Sequence, residues 1–203
     1  MKIKKVKIKQ LLKLNLLKSK VYEQPIKKIK FDNLIDANLN KIVTDMKKIL
    51  QIVFRYHKAE KRILFVGLPH NLELKINQFT RHVAVPKGFD IQGIISNNRK
   101  FFDSNKASSQ LWLKESSNFL LPKLTKKLDL IIVFEHDKSK IILSEAHAIR
   151  IPVIFFGTDS DLQDRALYSV EGNFKNVLTT SDKNIFFVGL NFLFKNSKKS
   201  SRV

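Results

Sequence analysis

Three compact apolar runs, bounded by turn residues and separated by helical periodicity, set the tightest limit on how this chain folds. They are Arg62-Ile-Leu-Phe-Val-Gly67, Leu128-Asp-Leu-Ile-Ile-Val-Phe134 and Pro152-Val-Ile-Phe-Phe-Gly157. None alternates apolar with polar residues, so none reads as a strand with one wet face. Strands buried on both faces belong to parallel sheets covered by helices on either side. The connections between such strands are right-handed.

The intervening segments agree. Ile42, Met46, Ile49, Leu50 and Val53 recur at three- and four-residue steps, which predicts a helix from Asn40 to about His57. A second helix is expected over 71–81, a short strand over His82–Val85, a helix over Ser139–Ile149, and a closing helix over Asp182–Lys195 with Ser181 as its cap. Residues 88–101 read as a loop, and 107–127 as helix and loop around Trp112. The expected organisation is a basic N-terminal arm with a short helix (1–30), an α/β domain (31–195) and a disordered basic tail (196–203).

The charge is lopsided. The chain of 203 residues carries 38 Lys plus Arg against 18 Asp plus Glu, a formal net charge of +20. Such a surplus opposes compaction unless a polyanion neutralises it. Nucleic acid is the leading partner, because each phosphate contact also releases a counterion. An anionic membrane surface is the runner-up. Genomic bias contributes as well, since lysines number 31 and arginines only 7. Hydrophobic residues make up 43% of the chain, enough for a packed core.

With no cysteine, the chain has no disulfides, thiol chemistry or Cys-ligated zinc. The longest apolar run, Ile185–Phe194, is interrupted by Gly189 and Asn191 and is too short to span a bilayer. The basic N-terminus has neither the apolar stretch of a secretory signal nor any arginine before Arg55.

Open α/β sheets bind ligands beyond the carboxyl ends of their strands. After the first strand stands Gly67-Leu-Pro-His70-Asn71, which lacks the glycine spacing of a phosphate cradle. After the second come Glu135, His136 and Asp137, with Glu145 and His147 on the next helix. Two residues apart on a helix, Glu145 and His147 point in different directions and make a poor metal pair. After the third come Thr158, Asp159, Ser160, Asp161 and Asp164. Those acids suit either Mg²⁺ or a loop whose side chains bond their own backbone. No nucleophile–base arrangement stands out.

Several pieces resemble the bacterial-type small-subunit ribosomal protein S-two family. Leu128-Asp129-Leu130 stands where that family has Pro-Asp-Leu. Glu145-Ala146 and Ile151-Pro152-Val153 follow at the family's separation. Thr158-Asp159-Ser160 replaces its Asp-Thr-Asn turn, and Tyr168-Ser-Val170-Glu-Gly172-Asn173 matches its Tyr-Pro-Ile-Pro-Gly-Asn without a gap. Upstream, Gln10-Leu11-Leu12, Ile63–Gly67 and Gly93-Ile-Ile-Ser96-Asn97 continue the likeness, which covers roughly 9–195. Two departures stand out. Only residues 98–127 fill the interval of the family's long helical hairpin, so that hairpin is short or absent. Phe89 also stands where tryptophan is expected.

The resemblance implies a three-layer flavodoxin-like (Rossmann-like) domain at the head–body junction of the small ribosomal subunit. It implies binding of small-subunit rRNA and neighbouring ribosomal proteins, with no catalysis and no homo-oligomer. It also implies no cofactor beyond the structural Mg²⁺ that accompanies rRNA. The expected RNA-binding residues are Lys4, Lys5, Lys7, Lys9, Lys13, Lys18 and Lys20 on the arm, with Arg55, Lys58, Lys61 and Arg62 at a basic corner. Arg81, Lys87, Asn97, Asn98, Arg99 and Lys100 complete the set. The cysteine-free, Lys- and Phe-rich composition suggests synthesis inside a mitochondrion, with a plastid or an AT-rich bacterium as alternatives. Two competing readings are a Rossmann-like nucleotide- or metal-dependent enzyme using the acids at 159–164, and a membrane-surface protein using residues 2–20.

Overall fold

The structure, a computed structural model, describes residues 2–18, 22, 32–86, 93, 95, 123–124, 126–174 and 184–200. For residues 2–7, 32–37 and 196–200 it describes the backbone alone. The elements are α1 (Lys2–Lys18), α2 (Asp32–Lys58), β1 (Ile63–Val66), α3 (His70–Phe79), β2 (Val83–Val85) and β3 (Leu130–Phe134). They continue with α4 (Ser139–Ala148), β4 (Val153–Gly157), α5 (Ser160–Arg165), β5 (Tyr168–Glu171) and α6 (Ile185–Ser200).

The five strands form an all-parallel sheet in the order β2-β1-β3-β4-β5, with helices on both faces. The apolar runs predict this helix-covered parallel sheet, and the arrangement is consistent with the flavodoxin-like three-layer fold that the resemblance implies. The central strands β1, β3 and β4 are buried at every position.

The pleat explains why those runs had to be wholly apolar, because successive side chains point to opposite faces. Ile63, Phe65, Leu130, Ile132, Phe134, Ile154 and Phe156 face one layer, built from α1, α2, α3 and α6. Leu64, Val66, Ile131, Val133, Val153 and Phe155 face the other, covered by α4, α5 and the buried Ile95, Leu124 and Leu128. Phenylalanine fills much of the first core. Phe134 stacks on Phe156 at 4.7 Å, and Phe174, Phe186 and Phe187 surround the pair.

Several expectations need correction. The N-terminal helix is longer than the short helix expected within a basic arm. α1 runs for 17 residues and packs against α2 and α6, with Leu16 fully buried. α2 begins at Asp32, ahead of the expected Asn40. The last helix starts at Ile185, later than the expected Asp182, and extends to Ser200, into the segment read as a disordered tail. Its first turn is held by Asn184, whose Oδ1 accepts from Phe186 N at 2.9 Å. Ser181, the expected cap, lies outside the described residues, as does most of the 98–127 interval.

Two elements escaped the sequence reading. β5 is an edge strand with only Val170 buried, so its pattern is mostly polar. α5 is a six-residue helix inside what reads as an acidic loop.

Candidate nucleic-acid interface

In a parallel sheet, every residue just before a strand falls on the same edge. The segments leading into β2, β1, β3 and β4 therefore meet at the amino edge, and they bring Arg81, Lys61, Arg62, Lys126, Lys127 and Arg150 with them. α2 ends at the same edge with Arg55 and Lys58, both exposed. The acids here are Glu60 and Asp129, and both are engaged. Arg81 Nη1 lies 3.4 Å from Glu60 Oε1. Asp129 Oδ2 accepts from the Arg62 backbone N–H at 2.9 Å, while Asp129 N donates to Arg62 O at 3.0 Å. These bonds tie the entries of β1 and β3 together, so the cations sit on a rigid frame.

The remaining geometry also crowds positive charge. Lys61 Nζ lies 5.1 Å from the centre of the Tyr56 ring. Arg62 Nη1 reaches Lys123 O at 3.5 Å, and Lys123 Nζ donates to Asn77 O. Burial, reinforced by the Arg62 guanidinium, lowers the Lys123 ammonium from its ordinary value. Beneath them, burial with the charges of Arg81 and Arg62 and the neighbouring His57 pushes His82 down to about 3. Burial and Arg81 likewise lower His57. Cations held this close favour a polyanion that relieves their repulsion.

The carboxyl edge carries acids, and Glu135 and Asp159 among them are used internally. Glu135 Oε2 accepts from Thr158 N at 2.6 Å and from Thr158 Oγ1 at 3.1 Å. Asp159 caps α5, its Oδ1 accepting from Asp161 N at 3.1 Å, so this acid bonds local backbone. His136 N donates to Ser139 Oγ at 2.9 Å. On the last turn of α4, which has returned toward the amino edge, Glu145 Oε1 accepts from Gly93 N at 2.5 Å, and His147 is exposed. Among the described residues, no three His, Asp or Glu side chains converge as a metal site. A cavity of about 200 Å³ lies between α2 and β5, lined by groups including Tyr22, Lys41, Asp45, Gln163, Glu171 and Asn173.

The structure thus brings Arg81 to the corner that Arg55, Lys58, Lys61 and Arg62 already form in the sequence. Lys9, Lys13 and Lys18 lie instead on α1 in the outer helical layer, with Lys9 and Lys18 exposed and Lys13 partly covered. Lys4, Lys5 and Lys7 share that helix. Lys20, Lys87, Asn97, Asn98, Arg99 and Lys100 lie outside the described residues. Sequence reasoning missed Lys123, Lys126, Lys127 and Arg150. The available signal was positional, since each precedes a recognisable strand and parallel strands share one amino edge.

Among the described residues, no helix is long and apolar enough to cross a membrane. No protein-family model matches the chain, and no curated protein matches it.

Proposed function

We propose that this chain is a structural, non-catalytic constituent of the small ribosomal subunit. In this reading it binds small-subunit rRNA and neighbouring ribosomal proteins at the head–body junction, in the mitochondrion. The observation that carries the reading is the split of charge across the sheet. Cations from four separate segments meet at the amino edge, while Glu135 and Asp159 of the carboxyl edge are spent on Thr158 and on the α5 cap. The ordered pieces between Leu128 and Asn173 that resemble the S-two family add support. Such a protein holds RNA by phosphate contact and shape, with the sheet as a rigid mount for basic groups.

The test is sedimentation of tagged protein through a gradient of lysed mitochondria at moderate salt. Comigration with the small subunit, lost after ribonuclease treatment, is expected. A protein that stays at the top of the gradient contradicts the reading.

A further inference from the structure

The amino edge carries more than charge. Phe79, the last residue of α3, leads into Arg81 and β2 at one end of the sheet and is 52% exposed. Tyr168, the first residue of β5, stands at the other end and is 49% exposed, beside Leu167 at 64%. Between these rings lie the cations of the β2, β1, β3 and β4 entries, in the order Arg81, Arg62, Lys127, Arg150. Neighbouring strands are roughly 4.8 Å apart, so the row from β2 to β5 spans about 19 Å.

A duplex offers phosphates to such a row but keeps its bases stacked inside, where exposed rings gain nothing. An unpaired strand offers both phosphates and base faces. A cationic track with aromatic platforms at its ends supplies both the phosphate contacts and the stacking surfaces that hold unpaired strands. The exposed apolar surface of Phe79, Leu167 and Tyr168 on a strongly charged edge is otherwise unfavourable, and stacked bases would cover it.

We infer that the amino edge binds unpaired RNA, with its phosphates along Arg81, Arg62, Lys127 and Arg150 and bases stacked on Tyr168 and Phe79. This rests on the RNA-binding reading above and narrows it to single-stranded or loop segments.

The test uses the full chain and one unstructured RNA strand, presented alone and annealed to its complement. The duplex carries twice the phosphate, so a purely electrostatic site binds it at least as tightly as the single strand. The stacking account expects the single strand to bind roughly tenfold more tightly. Tyr168→Ala and Phe79→Ala should each weaken single-strand binding by roughly tenfold and leave the salt dependence unchanged, and Tyr168→Phe should restore wild-type affinity. Unchanged melting temperatures for these surface variants confirm that they fold. Equal or tighter duplex binding, or full affinity in both alanine variants, overturns this inference and leaves the RNA-binding reading standing. Failure to bind either form overturns both.

Discussion

His57 Nδ1 lies 2.8 Å from His82 Nε2, and the contact fixes the protonation of both rings. His82 Nδ1 accepts the Ile63 backbone N–H at 3.2 Å, so its own proton sits on Nε2 and is donated to His57. His57 then carries its proton on Nε2. Phe65 and Phe194 pack around the pair, which joins the end of α2, the entries of β1 and β2, and α6. Both rings must be neutral for this geometry, and the nearby Arg62 and Arg81 oppose charging them further.

Acid should therefore loosen the domain. His82 titrates near 3 in the folded protein against 6.5 unfolded, so the unfolded chain binds more protons between those values. Stability is fully present above pH 6.5 and falls as the pH drops from there toward 3. At pH 5 the His82 contribution amounts to a loss of roughly 2 kcal/mol. Urea unfolding at a series of pH values checks this, and His82→Asn should flatten the profile over that window.

Asn77 pins the edge strand β2. Its Oδ1 accepts from Ala84 N at 2.8 Å and its Nδ2 donates to Ala84 O at 2.7 Å, all in a buried setting. Asn77→Leu removes both bonds and leaves two buried backbone groups unsatisfied, costing roughly 2–4 kcal/mol. Hydrogen exchange should show the Ala84 amide losing protection before those of β1 and β3.

Gly157 exists to make room for Glu135. A Cβ at this position would stand 2.5 Å from Glu135 Oε2 and 2.6 Å from Phe155 Cζ. Gly157→Ala should destabilise the fold by roughly 1–3 kcal/mol, measured by denaturant midpoint. Gly157→Ala combined with Glu135→Ala should recover only part of that loss, because the carboxylate is one of three clashes and those with Glu135 Cβ and Phe155 Cζ, each at 2.6 Å, remain.

The aromatic core sets the scale for packing changes. Phe156 is fully buried among Phe134, Phe174 and Phe186, whereas Phe192 is 65% exposed on α6. Phe156→Ala should cost roughly 3–5 kcal/mol, and Phe192→Ala roughly 0.5 kcal/mol or less. Thermal unfolding separates the two.

The sheet was legible because β1, β3 and β4 are buried on both faces, so Ile63–Val66, Leu130–Phe134 and Val153–Gly157 could contain little but apolar residues. β5 was hidden for the same physical reason: an edge strand that buries only Val170 leaves no hydrophobic signature. α5 was hidden because Asp159, Ser160 and Asp161 suit a loop as well as a capped helix start. The start of α2 and the end of α6 were misjudged because Asn33, Asp36, Asn38 and Asn40, and Asn196, Ser197 and Ser200, are residue types that suit loops as well as helices. Half of the basic edge was legible because Arg55 to Arg62 are contiguous in sequence. The other half needs the parallel topology, which alone brings Lys126, Lys127 and Arg150, all distant from Arg62 in sequence, to the same edge.

The most direct measurement of the central claim is the salt dependence of binding to small-subunit rRNA. Wild-type protein should show a steep fall of log affinity with log salt, each phosphate contact adding roughly 0.7–0.9 to the slope. The triple variant Lys126→Glu, Lys127→Glu, Arg150→Glu should bind far more weakly and with a shallower slope, whereas Lys138→Glu at the carboxyl edge should behave nearly as wild type. A flat wild-type slope, or a triple variant that matches wild type, would contradict an RNA interface at the amino edge of the sheet.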